Sequence, residues 1–109
     1  MTPAPRLTCP FCGARVTATH HRQAYCTPAH KKAMDRLQQV RGQRIAVLVQ
    51  AWRTGRHRRP GTPDRATAND ALSQLATLAD QWNAEDKAAG RPGAIKLLQR
   101  RSAMMEGIR

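Results

Sequence analysis

The chain has 109 residues, room for one small domain, and only 16 of them are Leu, Ile, Val or Phe, beside 18 Ala. With a formal net charge of +12, so small a stock of large apolar groups falls in the compositional range of disordered chains, because burial alone would not offset the entropy of ordering the backbone. The longest wholly apolar run, Ile45 to Val49, excludes a membrane-spanning helix, which needs about 20 apolar residues.

Residues 1–8 hold Pro and Arg but no apolar stretch of the kind a secretory signal requires, so a flexible N-terminus and a cytoplasmic location are expected. Next comes Cys9-Pro10-Phe11-Cys12-Gly13, two thiols three residues apart around a turn whose Gly can take positive φ, which is the form of a zinc knuckle. Further on, Cys26-Thr27-Pro28-Ala29-His30 sets a thiol and an imidazole four residues apart. Thr27 at the cap and Pro28 at the first helical position predict a helix start there. Residues four apart share a helical face, so Cys26 and His30 can hold one ion. Three Cys in a chain with no secretion signal argue against a disulfide framework. The set Cys9, Cys12, Cys26 and His30 fits a closed, tetrahedral structural zinc, with His20 or His21 as the alternative fourth ligand. Such an ion contributes on the order of 10 kcal/mol to small zinc modules, and so supplies what the thin apolar core does not.

The pattern Cys9-Pro10-x-Cys12-Gly13, a short spacer, and Tyr25-Cys26-Thr27-x-x-His30-Lys31 resembles the treble-clef zinc fingers of small bacterial proteins. Within that class it is similar to the DNA gyrase inhibitor zinc fingers over residues 9–37, with Asp35 and Leu37 following Lys31 as that family's pattern has it. The resemblance implies a knuckle, a short hairpin and a helix carrying the last two ligands. The expected fold is therefore small α+β, mostly α: a treble clef at 9–37, then a helical hairpin and a short C-terminal helix. It also implies a protein partner, a DNA-acting enzyme such as a topoisomerase. The chain departs from the family in carrying His30 where Cys is usual and in continuing into a long helical region.

Met34, Leu37, Ile45, Leu48 and Trp52 recur at three- and four-residue steps, predicting a helix over 28–54. Gly42 offers a break within it, and Ile45–Val49 is the expected centre of the core. Residues 53–62 then form a basic loop in which Arg53, Arg56, His57, Arg58 and Arg59 precede Pro60-Gly61-Thr62-Pro63. Ala68, Leu72, Leu75, Ala79 and Trp82 trace one face of an amphipathic helix over 63–89, whose outer face is expected to carry Asp70, Asp80, Glu85 and Asp86. Gly90 and Pro92 end it, and a short helix is expected over 94–105.

The charge is uneven: residues 1–62 hold twelve Lys or Arg and one acid, residues 63–109 seven and six. A cationic half of that density attracts polyanions, and nucleic acid is the commonest. The phosphate contacts expected are Lys31, Lys32, Arg36, Arg41 and Arg44 on the first helix and Arg53, Arg56, Arg58 and Arg59 on the loop. Only four aromatics, two of them Trp on the apolar stripes, favour duplex DNA over stacked single strands. A regulatory DNA-binding protein is the leading expectation, and an adaptor or inhibitor docking on an acidic surface of a DNA-acting enzyme is the alternative. No nucleotide loop, catalytic triad or carboxylate pair is present, and no acid precedes Asp35, so catalysis is not expected.

Overall fold

The computed structural model describes residues 6–17 and 24–108. Two three-residue strands, β1 (Arg6–Thr8) and β2 (Arg15–Thr17), pair antiparallel with Leu7 opposite Val16, and they bracket the Cys9–Gly13 turn. Three helices follow: α1 (Pro28–Gly55), α2 (Pro63–Ala88) and α3 (Ala94–Ile108), of 28, 26 and 15 residues. None of them is long and apolar enough to cross a membrane.

This corrects the expected fold. The only ladder among the described residues joins the strand before the knuckle to the strand after it, and those residues hold no further strand between knuckle and helix. The molecule is a small, mostly helical protein and not an α+β treble clef. The physical reason lies in the sequence of residues 14–25, where no alternation of apolar residues is long enough to bury a second pair of strands.

The chain divides into two compact units, one of Met1–Asp35 with Asn83–Arg109 and one of Arg36–Trp82. In the first, Cys9, Val16 and Met34 are buried. The end of α2 is closed there by Gly90 at positive φ, with the Arg91 amide donating to the Asp86 carbonyl (2.8 Å) and the Gly90 amide to that of Lys87 (3.2 Å). Asp86 is itself buried and accepts from Arg91 Nε at 2.8 Å, so it belongs to the interior and not to the acidic outer face where periodicity places it. The Arg100 guanidinium donates to the Thr8 carbonyl (2.9 Å), tying α3 to β1.

The second unit is the helical hairpin formed by residues 36–55 of α1 and 63–82 of α2. Its buried residues are Ala68, Ala71, Leu78 and Gly55. The expected core centre is corrected here: Ile45 and Leu48 are half-buried, but Val47 is 70% exposed and Val49 also faces solvent. A run that is apolar on every side still presents only one stripe to a single partner helix. Gly42 does not interrupt α1, and the space where its Cβ would stand is open. At the hairpin's closed end Gly55 permits close approach, since a Cβ there would lie 2.6 Å from the Asp64 carbonyl and 2.7 Å from the Ala68 Cβ.

Candidate metal centre and basic turn

The knuckle is built by backbone hydrogen bonds around Cys9. Its amide donates to the Ala14 carbonyl (2.8 Å), its carbonyl accepts from the Gly13 amide (2.9 Å), and the Ala14 amide points at Cys12 Sγ (3.5 Å). Gly13 makes the turn with φ of 77°, and a Cβ on it would overlap the Gly90 carbonyl. The second pair of candidate ligands is set by the start of α1. Thr27 caps the helix, its hydroxyl accepting from the His30 amide (3.2 Å), so Cys26 stands just before the cap and His30 one turn in.

The two pairs converge. Cys9, Cys12, Cys26 and His30 each offer a ligand atom, and the four atoms lie within 4.8 Å of one another. Cys12 Sγ is 3.5 Å from Cys26 Sγ, Cys9 Sγ is 4.0 Å from His30 Nδ1, and Cys26 Sγ is 2.8 Å from His30 Nδ1. Around a tetrahedral zinc the ligand atoms stand about 3.5–3.8 Å apart, so the arrangement fits once the Cys26–His30 pair opens by about 0.7 Å and the widest separations, up to 4.8 Å, close by up to about 1 Å. The Phe11 ring lies 5.0 Å from the imidazole, tilted by 49°, and restricts its rotation. Cys9 is wholly buried, and the other three are half-buried.

The thiols are unlike one another electrostatically. Burial pushes Cys9 up, but amides of Cys26, Cys12 and Phe11 and the Cys12 thiol donate to it and bring it down to about 6. Burial, reinforced by the neighbouring Cys12 and Cys9 sulfurs, pushes Cys26 up to about 11. A cavity that stabilises one thiolate and resists the next favours a cation at its centre, because a bound cation removes the repulsion and holds coordinating thiols deprotonated. The four side chains could hold a metal ion. His20 and His21, the alternative ligands, lie outside the described residues.

The candidate phosphate contacts divide between the two units. In the first, Lys31 and Lys32 are exposed near the start of α1, and Lys31 Nζ pairs with Asp35 at 3.3 Å. In the second, Arg36, Arg44, Arg53, Arg58 and Arg59 are exposed, while Arg41 is half-buried with its guanidinium 5.3 Å from the centre of the Trp82 ring. Arg56 is half-buried as well. It lies over Trp52 at 4.9 Å and donates from Nε to His57 Nε2 at 3.0 Å. The turn after α1 is held from α2: Arg65 donates to the Arg58 carbonyl (3.1 Å), and Thr62 donates to the Arg59 carbonyl (2.7 Å) while accepting from the Arg65 amide (3.4 Å). Arg58 approaches the exposed Asp64 at 4.0 Å. The two Arg–Trp stackings and the Asp86–Arg91 pair have no local signature in the sequence. No protein-family model, curated protein or solved structure matches the chain.

Proposed function

We propose that the Cys9, Cys12, Cys26 and His30 cluster holds a structural zinc ion and that the chain is a non-catalytic nucleic-acid-binding module with duplex DNA as its ligand. Three thiols and one imidazole that converge within 4.8 Å suit zinc above the harder divalent ions, and the wholly buried Cys9 supports a closed site and not a catalytic one. When bound, the ion crosslinks the knuckle to the first turn of α1. The chain's own residues position the ligands: Thr27 caps the helix, Gly13 makes the turn and Phe11 packs on the imidazole.

The observation that carries the nucleic-acid reading is the turn after α1. There Arg56, His57, Arg58 and Arg59 follow one another with no acid before Asp64, and the backbone of Arg58 and Arg59 is tied down by Arg65 and Thr62. A fixed backbone sets where these side chains start, and a guanidinium group takes phosphate in a bidentate fork. Lys31, Lys32, Arg36, Arg44 and Arg53 add exposed cations along α1.

The test is fluorescence anisotropy with duplex DNA and zinc-loaded protein over a salt series. With about six phosphates neutralised, log affinity falls against log salt with a slope of about −5. Joint substitution Arg56→Glu, Arg58→Glu and Arg59→Glu abolishes binding on this reading. Equal binding by that variant would clear the turn of the role, and no binding by the parent protein at physiological salt would leave the basic surface to an acidic protein partner.

A further inference from the structure

The three thiols of the metal centre differ in what can reach them and in how firmly they are held. Cys9 is wholly buried, whereas Cys12 and Cys26 are each partly open to solvent. Cys9 is also the fixed member of the set. Its amide donates to the Ala14 carbonyl (2.8 Å), its carbonyl accepts from the Gly13 amide (2.9 Å), and amides of Phe11, Cys12 and Cys26 donate to its sulfur. Cys26 stands outside α1, before the Thr27 cap, and its Sγ lies 3.5 Å from that of Cys12. A disulfide needs about 2.05 Å between sulfurs, so this pair closes by about 1.5 Å, which rotation about the two Cα–Cβ bonds can cover. Oxidation selects thiols that are exposed and deprotonated, and a bound metal ion holds its coordinating thiols deprotonated.

We propose that Cys12 and Cys26 form a redox-sensitive switch, in which hydrogen peroxide joins the two sulfurs as a disulfide and zinc leaves the site. The release of zinc rests on the zinc reading of the cluster; the disulfide does not. First, one of the two half-exposed thiolates attacks a peroxide oxygen: an S–O bond forms, the O–O bond breaks and hydroxide leaves. The neighbouring thiolate then attacks that sulfur, so that the S–S bond forms, the S–O bond breaks and a second hydroxide leaves. Each sulfur gives up one electron, the peroxide takes both, and two protons convert the hydroxides to water. Cys9 and His30 remain, two donors where a closed zinc site has four. The pairing also decides what becomes of the fold. Cys12 belongs to the knuckle and Cys26 to the approach of α1, so the disulfide bridges the same two segments as the ion does. A Cys9–Cys12 bond would lie within the knuckle and leave the helix start untethered. Oxidation thus exchanges a metal crosslink for a covalent one, and a dithiol reductant reverses it.

The test treats the full, zinc-loaded chain with hydrogen peroxide, labels the remaining thiols with N-ethylmaleimide and maps the tryptic peptides. Cys9 and Cys12 share the peptide 7–15, and Cys26 lies in 23–31. The expected product is 7–15 joined to 23–31 through Cys12, with the label on Cys9, a loss of two hydrogen atoms in mass before labelling, and one zinc released per chain to a chromophoric chelator. The oxidised chain keeps more helical ellipticity than the reduced chain stripped of zinc by a chelator. In guanidinium, where the fold no longer sets the distances, the same oxidation shifts toward Cys9–Cys12, the pair closing the shortest loop. A folded chain that pairs Cys9 with either partner, that gains oxygen on single sulfurs without a disulfide, or that resists peroxide would overturn the proposal. Zinc content measured before oxidation reports on the ion separately: a folded, metal-free chain that still yields the Cys12–Cys26 link would refute the zinc reading and leave the disulfide standing.

Discussion

Three glycine-to-alanine substitutions, one chemical change at three sites, are expected to act with different sign. At Gly42, inside α1, nothing lies within 4 Å of the position a Cβ would take. Alanine there gains only the helix propensity difference, a stabilisation of about 1 kcal/mol. At Gly55 the added Cβ stands 2.6 Å from the Asp64 carbonyl and 2.7 Å from the Ala68 Cβ. Ordinary contact is about 3.5–4.0 Å, so the helices must part by about 1 Å at the closed end of the hairpin. Overpacking of that kind costs about 1–3 kcal/mol, and the propensity gain offsets part of it, leaving a net loss of about 1–2 kcal/mol. At Gly13 the φ of 77° and the overlap with the Gly90 carbonyl act together. The left-handed conformation costs about 1–2 kcal/mol and the clash as much again, roughly 3 kcal/mol in all. Thermal unfolding followed at 222 nm, with zinc and protein concentration held fixed, separates the three. About 1 kcal/mol corresponds to roughly 4–8 °C in a chain near this size, so Gly42→Ala raises the midpoint by that amount and the other two lower it. A Gly55→Ala protein as stable as Gly42→Ala would refute the close packing of the hairpin end.

Metal loading is expected to depend on pH with a definite sign. Cys26 is held near 11 and is protonated at neutral pH, so binding expels at least its proton and affinity rises by at least about tenfold per pH unit between pH 6.5 and 8.5. Competition against a chromophoric chelator across that range measures the slope, and a flat profile would remove Cys26 from the ligand set. Cys26→Ser or His30→Ala is expected to weaken zinc retention at least a hundredfold in the same titration. The phenotype should be shared, since each removes one ligand from one ion; a wild-type titration for His30→Ala would return attention to His20 and His21. The Asp86–Arg91 pair is about one-eighth exposed on each side. Arg91→Ala is accordingly expected to cost about 2 kcal/mol in urea unfolding, less than a fully buried pair would; a change below 0.5 kcal/mol would show that solvent screens it.

What could be read from the sequence was local. Cys9 with Cys12, and Cys26 with His30, are each fixed by spacing and by the residues beside them: Gly13 for the turn, and Thr27 and Pro28 for the helix start. The likeness to treble-clef fingers rests on the same spacing, and spacing carries no information about the strands between ligands, so the hairpin it implied has no counterpart among the described residues. Periodicity found the apolar stripes of α1 and α2 but gave Ile45–Val49 too much weight, because a one-dimensional run does not say how many partner helices will cover it. Arg41 reads as one more exposed cation and Asp86 as one more surface acid. Trp82 lies 41 residues from Arg41, and Asp86 meets Arg91 only because Gly90 turns the chain back. The approach of Gly13 to Gly90 likewise joins positions far apart in the chain, and it required the folded backbone to be seen.

The metal centre is where chain chemistry and fold meet, and zinc-edge X-ray absorption on purified, metal-replete protein tests it most directly. One zinc per chain, with three sulfur scatterers at about 2.3 Å and one nitrogen at about 2.0–2.1 Å, is the expected spectrum, together with loss of helical ellipticity when a chelator removes the ion. A shell of oxygen or nitrogen alone, or full ellipticity after the metal has gone, would contradict a structural ion held by Cys9, Cys12, Cys26 and His30.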